Sequence, residues 1–136
     1  MRRENILETH EYNGVTLIKM GRDLGGKVLY WVSACLINSL LVDTGCKHTA
    51  EKMVACLQDR EVSQSLITHY HEDHIGGCLI PSPIRSCPQM KLIRTFMFSR
   101  LLKPRGNSED HVVYIEPNRG LCFSGDLFVS EKIKVL

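Results

Sequence analysis

Residues 69–74 read His-Tyr-His-Glu-Asp-His and run on into Ile-Gly-Gly, so three imidazoles and two carboxylates fall within six positions. Neutral imidazole nitrogen with carboxylate oxygen is a donor set that suits Zn²⁺, and Mn²⁺ or Fe²⁺ less selectively. On extended backbone His69 and His71, two apart, share a side, and the tight turn that follows carries Asp73 and His74 to a second point. Gly76 and Gly77 would let the backbone pass closely beneath the ions. The spacing therefore suggests two adjacent metal sites. Two ions that share a water lower its pKa toward neutrality and hold the attacking and leaving oxygens, which favours hydrolysis. With six His and six Asp in 136 residues, the four-residue pattern arises by chance in about 5 of 10,000 such chains, so accident explains it poorly. A lone His is more often a surface or satisfied core residue, and His10 and His48 are read that way.

The elements that must position the cluster follow from pattern. From Gly14 to Ile37 the chain is rich in Val, Ile, Leu, Tyr and Trp, which suits short antiparallel strands with turns at Gly21 to Gly26. The apolar run Leu40 to Val42 ends in Asp43, Thr44 and Gly45, where a strand stops and a loop begins. Thr49 stands at an N-cap position, Glu51 follows in the first turn, and Met53, Cys56 and Leu57 recur at helical spacing up to Arg60. A short strand from Val62 to Ile67 delivers the chain into Thr68 and the histidines, so the cluster lies at a strand's C-terminal end, where open α/β sheets build their chemistry. Prolines at 81, 83 and 88 stop any helix begun at His74 by about Ile80. Residues 91–98 read as a strand, and Pro117 to Gly120 as the turn of a hairpin between Tyr114 and Phe123.

Composition bounds the rest. A chain of 136 residues is a single domain, 1–136, with enough length for a core. A net charge of +2 with scattered Lys and Arg gives no nucleic-acid or anionic-membrane footprint. No apolar run approaches the roughly 18 residues of a spanning helix, and the N-terminus has no apolar secretory segment, so a cytoplasmic location is expected. Cys35, Cys46, Cys56, Cys78, Cys87 and Cys122 show no CxxC spacing and are read as small buried thiols rather than disulfides or zinc ligands.

The sequence THYHEDHIGG, preceded by VSACLINSLLVDTGC and followed by FSGDLF, resembles the metallo-β-lactamase superfamily, from about Tyr30 to Val129. The resemblance implies an α/β (α+β) fold: part of an αββα sandwich, with a mostly antiparallel or mixed sheet and one or two packed helices. It further implies that His69 and His71 bind a first metal, Asp73 and His74 a second, and Asp126 bridges them. The metals would be two zinc ions, with manganese or iron as substitutes. Asp43 would orient the metal-bound groups without touching the ions. Asp73 would also accept the proton of the attacking water, making it the catalytic residue. The substrate would be a small molecule with an ester, thioester, lactone, amide or phosphodiester bond.

The chain departs from the family in three places. PRGNSEDHVV puts Asn107 at a position where the family carries a ligand histidine, and an amide oxygen is a weak donor for zinc. His111 lies four residues on and could reach the metal from a flexible loop, but it matches the DH that follows the ligand in the family pattern. Only 32 residues (75–106) separate the cluster from Asn107, and the last family histidine would lie beyond Leu136. The expectation is therefore a shortened domain with an uncovered apolar sheet face that invites homo-oligomers. The alternative is a catalytically impaired metal-binding remnant serving as a structural or interaction module.

Overall fold

A computed structural model describes residues 3–79, 100–102, 108–129 and 132–133. They form two compact units: residues 3–67 with 71–79, and residues 68–70 with 100–102, 108–129 and 132–133. The architecture is α+β, with a mixed sheet and two short α-helices among the described residues.

The first unit is built on five strands in the order β1 (Arg3–Tyr12), β2 (Val15–Leu24), β3 (Val28–Ile37), β4 (Leu40–Val42) and β5 (Gln64–Leu66). Neighbours run antiparallel from β1 to β4, and β4 pairs parallel with β5. Asn13 and Gly14, at φ 49° and 76°, turn β1 into β2 in two residues, with Tyr12 paired to Val15. The turn between β2 and β3 is tighter than the sequence suggested. Leu24 N–H donates to Lys27 O at 3.0 Å, with Gly25 and Gly26 at φ 67° and 89°, while Gly21 is a strand residue beside a bulge. A Cβ on Gly21 would lie 2.6 Å from Val28 Cγ1, so glycine there lets β3 come close.

Ile18 and Met20 on β2, Ala34 and Leu36 on β3, and Leu41 on β4 form one buried cluster, the period-two pattern of a sheet with one face covered. The cover is α1 (Ala50–Cys56), whose Met53, with Leu57 four residues on, joins that cluster. Met53 is fully buried, so its truncation to Ala would cost about 2–5 kcal/mol. One local expectation for this helix holds in position and another is corrected. Thr49 is the N-cap, but its Oγ1 donates to Cys46 O at 3.0 Å instead of capping, because a 3₁₀ turn (Lys47–Thr49) precedes the helix. The helix also stops at Cys56 rather than Arg60, whose guanidinium reaches the sheet and donates to Thr16 Oγ1 at 2.6 Å. The last pieces are α2 (Glu72–Ile75) and a 3₁₀ turn (Gly76–Leu79).

The second unit holds β6 (Arg100–Leu102), β7 (Val113–Glu116) and β8 (Leu121–Phe123) as an antiparallel sheet, with β9 (Phe128–Val129) and β10 (Lys132–Ile133) as a pair. Tyr114 pairs with Phe123 across the expected hairpin. The Glu116 carboxylate is buried because it accepts the N–H groups of Asn118 and Arg119 in the turn, at 3.1 and 2.7 Å. The expected strand at 91–98, Cys87 and Asn107 lie outside the described residues. Among the described residues no helix is long and apolar enough to cross a membrane.

Candidate metal centre

In the first unit the parallel register of β4 and β5 pairs Val42 with Leu66, and the ladder continues through Asp43 N–H, which donates to Leu66 O at 2.8 Å. Asp43 turns the chain out of the sheet in the left-handed region, at φ 59°. Aspartate tolerates that conformation better than most residues, at a cost of about 1–3 kcal/mol that persists only where the surroundings hold it. Those surroundings are α2 and its approach. Thr44 donates both its N–H and its hydroxyl to His74 O, at 2.7 and 2.8 Å. Gly77 N–H donates to Gly45 O at 3.2 Å, and Lys47 N–H to Glu72 Oε1 at 2.8 Å.

The two glycines explain why the fit is so close. A Cβ on Gly76 would stand 2.2 Å from Lys47 N, and one on Gly77 would stand 2.4 Å from Thr44 O. Their role is to seat α2 on the loop after β4, a more specific reason than the turn beneath the ions that the sequence suggested.

The seating brings Asp43 to His74, whose Nδ1 donates to Asp43 Oδ2 at 2.8 Å, with both side chains buried. A carboxylate on Nδ1 fixes the neutral tautomer with its lone pair on Nε2, the arrangement a metal-ligating histidine needs. That Nε2 lies 3.7 Å from Asp73 Oδ2, on a side chain that is partly exposed. His71 is the N-cap of α2, half-buried, and its carbonyl accepts the N–H groups of His74 and Ile75 at 2.9 and 3.1 Å. Residues 67–71 are not strand and Thr68 is a bend, so the alternating-face argument for His69 and His71 does not extend there.

In the second unit Thr68 O accepts Val112 N–H at 2.8 Å, and Thr68 Oγ1 lies 3.0 Å from His69 Nδ1. The buried His69 ring stacks on His111, with centroids 4.7 Å apart and planes at 7°. His69 Nε2 is 3.8 Å from Asp126 Oδ2. Asp126 follows Gly125, which opens a 3₁₀ turn at φ 52°; a Cβ there would stand 2.7 Å from Thr68 Oγ1 and 3.0 Å from His111 Nε2. Glycine is thus the residue that lets the turn carrying Asp126 close on His69.

The structure gives His111 a place the sequence did not suggest. Its Nε2 donates to Ser124 O at 2.8 Å and its ring backs His69, so it supports a candidate ligand. Thr68 was likewise missed, since a threonine beside a histidine carries no signal of its own, and Gly125 was read only as part of FSGDLF, without its packing on Thr68. Glu72 was passed over within the cluster, and its carboxylate holds the loop at Lys47.

Two donors bound to one ion at about 2.0–2.2 Å in tetrahedral geometry stand about 3.4 Å apart. The separations of 3.7 Å for His74 with Asp73 and 3.8 Å for His69 with Asp126 differ from that by a few tenths of an ångström. Side chains absorb such a difference by small rotations, so each unit presents an imidazole and carboxylate pair that fits a divalent cation.

No curated protein and no solved structure matches the chain. Residues 36–79 match the model described as the metallo-beta-lactamase superfamily. That stretch contains the loop after β4, Asp43, and the whole His69–His74 cluster with its two glycines. The α+β architecture and the buried Asp43–His74 pair accompany that match, and residues 36–79 of this chain are similar to the metallo-beta-lactamase superfamily.

Proposed function

We propose that the chain is a divalent-metal-dependent hydrolase. His69, His71, Asp73, His74 and Asp126 would hold a pair of ions, zinc first among the candidates, as the donor set of imidazole and carboxylate favours. The observation that carries this reading is the buried Asp43–His74 hydrogen bond, which suits orienting an imidazole as a ligand. Bound there, the ions would supply Lewis-acid polarisation of the substrate and a water of lowered pKa.

The residues themselves do the rest. Asp43 holds the proton on His74 Nδ1, and Thr68 fixes the ring of His69 through Nδ1. The Asp73 carboxylate, partly exposed 3.7 Å from His74 Nε2, would accept a proton from an attacking water. The substrate is a small molecule with an ester, thioester, lactone, amide or phosphodiester bond, since such a centre activates water and the surrounding loops select the substrate. The described cysteines are free thiols, which supports a reducing cytoplasmic setting.

Metal analysis of the full chain after gentle purification tests the reading. Two ions per chain, falling to one in Asp126→Ala and held more tightly in Asn107→His, are expected. Chelator-sensitive turnover on a panel of thioester, lactone, β-lactam and phosphodiester substrates should accompany them. Unchanged metal content in both variants, or turnover that a chelator leaves intact, would overturn it. A second reading, a catalytically impaired remnant holding one ion or none, is favoured by Asn107 in place of an imidazole. It predicts at most one ion per chain in the native protein and no turnover on the panel.

A further inference from the structure

Outside the set of residues just named, the first unit gathers a second group of metal-ligating side chains. The Cys46 thiol, one ring nitrogen of His48 and a carboxylate oxygen of Glu72 lie within 4.8 Å of one another. We infer that Cys46, His48 and Glu72 form a separate site for a borderline-soft divalent cation, Zn²⁺ above all, that ties the loop after β4 to the first turn of α2.

The backbone builds this grouping. Cys46 is the extended N-cap of the 3₁₀ turn at 47–49, at φ −78° and ψ 151°, and His48 is the middle residue of that turn. Glu72 opens α2, and its Oε1 already accepts Lys47 N–H at 2.8 Å, so the carboxylate is anchored between the two. The absence of a side chain at Gly76 is what allows the two backbones to approach.

Donor chemistry sets the ligand class. Thiolate, imidazole and carboxylate together select zinc-like ions and disfavour Mg²⁺ or Ca²⁺, which take oxygen ligands. Independent of proximity, His48 Nε2 is out of contact with solvent and has no hydrogen-bond partner among the described residues, a cost that a cation bound through that nitrogen would remove.

On binding, a metal–sulfur bond would form at Cys46 and the thiol proton would pass to solvent.

The site is distinct from the hydrolytic reading, and its test is chosen so that either can fail alone. The reduced, metal-depleted full chain is titrated with Co²⁺ and the near-ultraviolet thiolate-to-cobalt charge-transfer absorption is read, followed by displacement with Zn²⁺. The absorption is expected in the native chain and in the His69→Ala/Asp126→Ala double variant, and it should be lost in Cys46→Ser. His48→Ala, with its circular dichroism unchanged, should weaken Zn²⁺ binding at this site by at least about tenfold. Absence of the absorption from the native chain, or its survival in Cys46→Ser, would overturn the site. Should Cys46→Ser not fold, His48→Ala and Glu72→Gln decide: unchanged Zn²⁺ affinity in both overturns it, and weakened affinity in both upholds it.

Discussion

His74 Nδ1 stands 2.8 Å from Asp43 Oδ2 across 31 residues of sequence, with both side chains buried. The pair exists because β4 and β5 run parallel, Asp43 leaves the sheet in a left-handed turn, and α2 sits on that turn through Thr44. Asp43→Asn isolates the electrostatic part of this arrangement, because asparagine also tolerates the left-handed backbone. Its amide presents either a donor or an acceptor, so the His74 tautomer is no longer fixed. Metal affinity, measured by competition with a chelator, is expected to fall about 10–100-fold while the circular dichroism spectrum stays unchanged.

Gly77→Ala tests the seating of α2. The new methyl would meet Thr44 O at 2.4 Å, and a backbone carbonyl does not move as a side-chain tip does. Urea unfolding should show a loss of about 3 kcal/mol, the upper end of ordinary overpacking. Gly26→Ala is the control: no atom lies within 4 Å of its Cβ, so only the strain at φ 89° applies, about 1–2 kcal/mol. A loss in Gly77→Ala no larger than that in Gly26→Ala would mean that close approach to Thr44 is not what requires glycine at 77.

The contrast between those glycines shows which parts of the molecule were legible in the sequence. Runs rich in Val, Leu and Ile announced β2 to β4, and helical spacing announced α1, because each buries one face against the other. The strand β1 went unread although Asn13-Gly14 is a strong hairpin signal, since most of its side chains are exposed or half-buried and their pattern is weak. The histidine cluster was readable from spacing, and Asp43 and Asp126 through resemblance. Thr68, His111 and the triad of Cys46, His48 and Glu72 were not, because tertiary approach through Gly76 and Gly125 assembles them and no fixed spacing marks it.

Cys35 gives a prediction in pH. Burial, and then the nearby Asp43 carboxylate, push its thiol up to about 12 from an ordinary 9.0, so the folded chain retains this proton after the unfolded chain has lost it. A raised folded value means that the contribution is fully present below pH 9 and is lost as pH rises toward 12. Stability measured in urea at successive pH values should therefore fall across that window, and Cys35→Ala should flatten the fall. At neutral pH Cys122, the exposed thiol, should react with an alkylating reagent well before Cys35. Faster labelling of Cys35 would contradict its burial.

The stack of His69 on His111 separates support from ligation in the second unit. His111 holds Ser124 O through Nε2 and lies flat against His69, so its removal takes away a hydrogen bond and a ring contact together. His111→Ala should cost about 1–3 kcal/mol in urea unfolding, the range for leaving a partly buried partner unsatisfied. His111→Phe keeps an aromatic face beside His69 and loses only the hydrogen bond, so it should be less damaging. The decisive readout is metal content: a supporting ring predicts that His111→Phe retains the ions of the native chain, whereas a ligand predicts the loss of one. Loss in His111→Phe with native stability would move His111 from behind His69 to the metal itself.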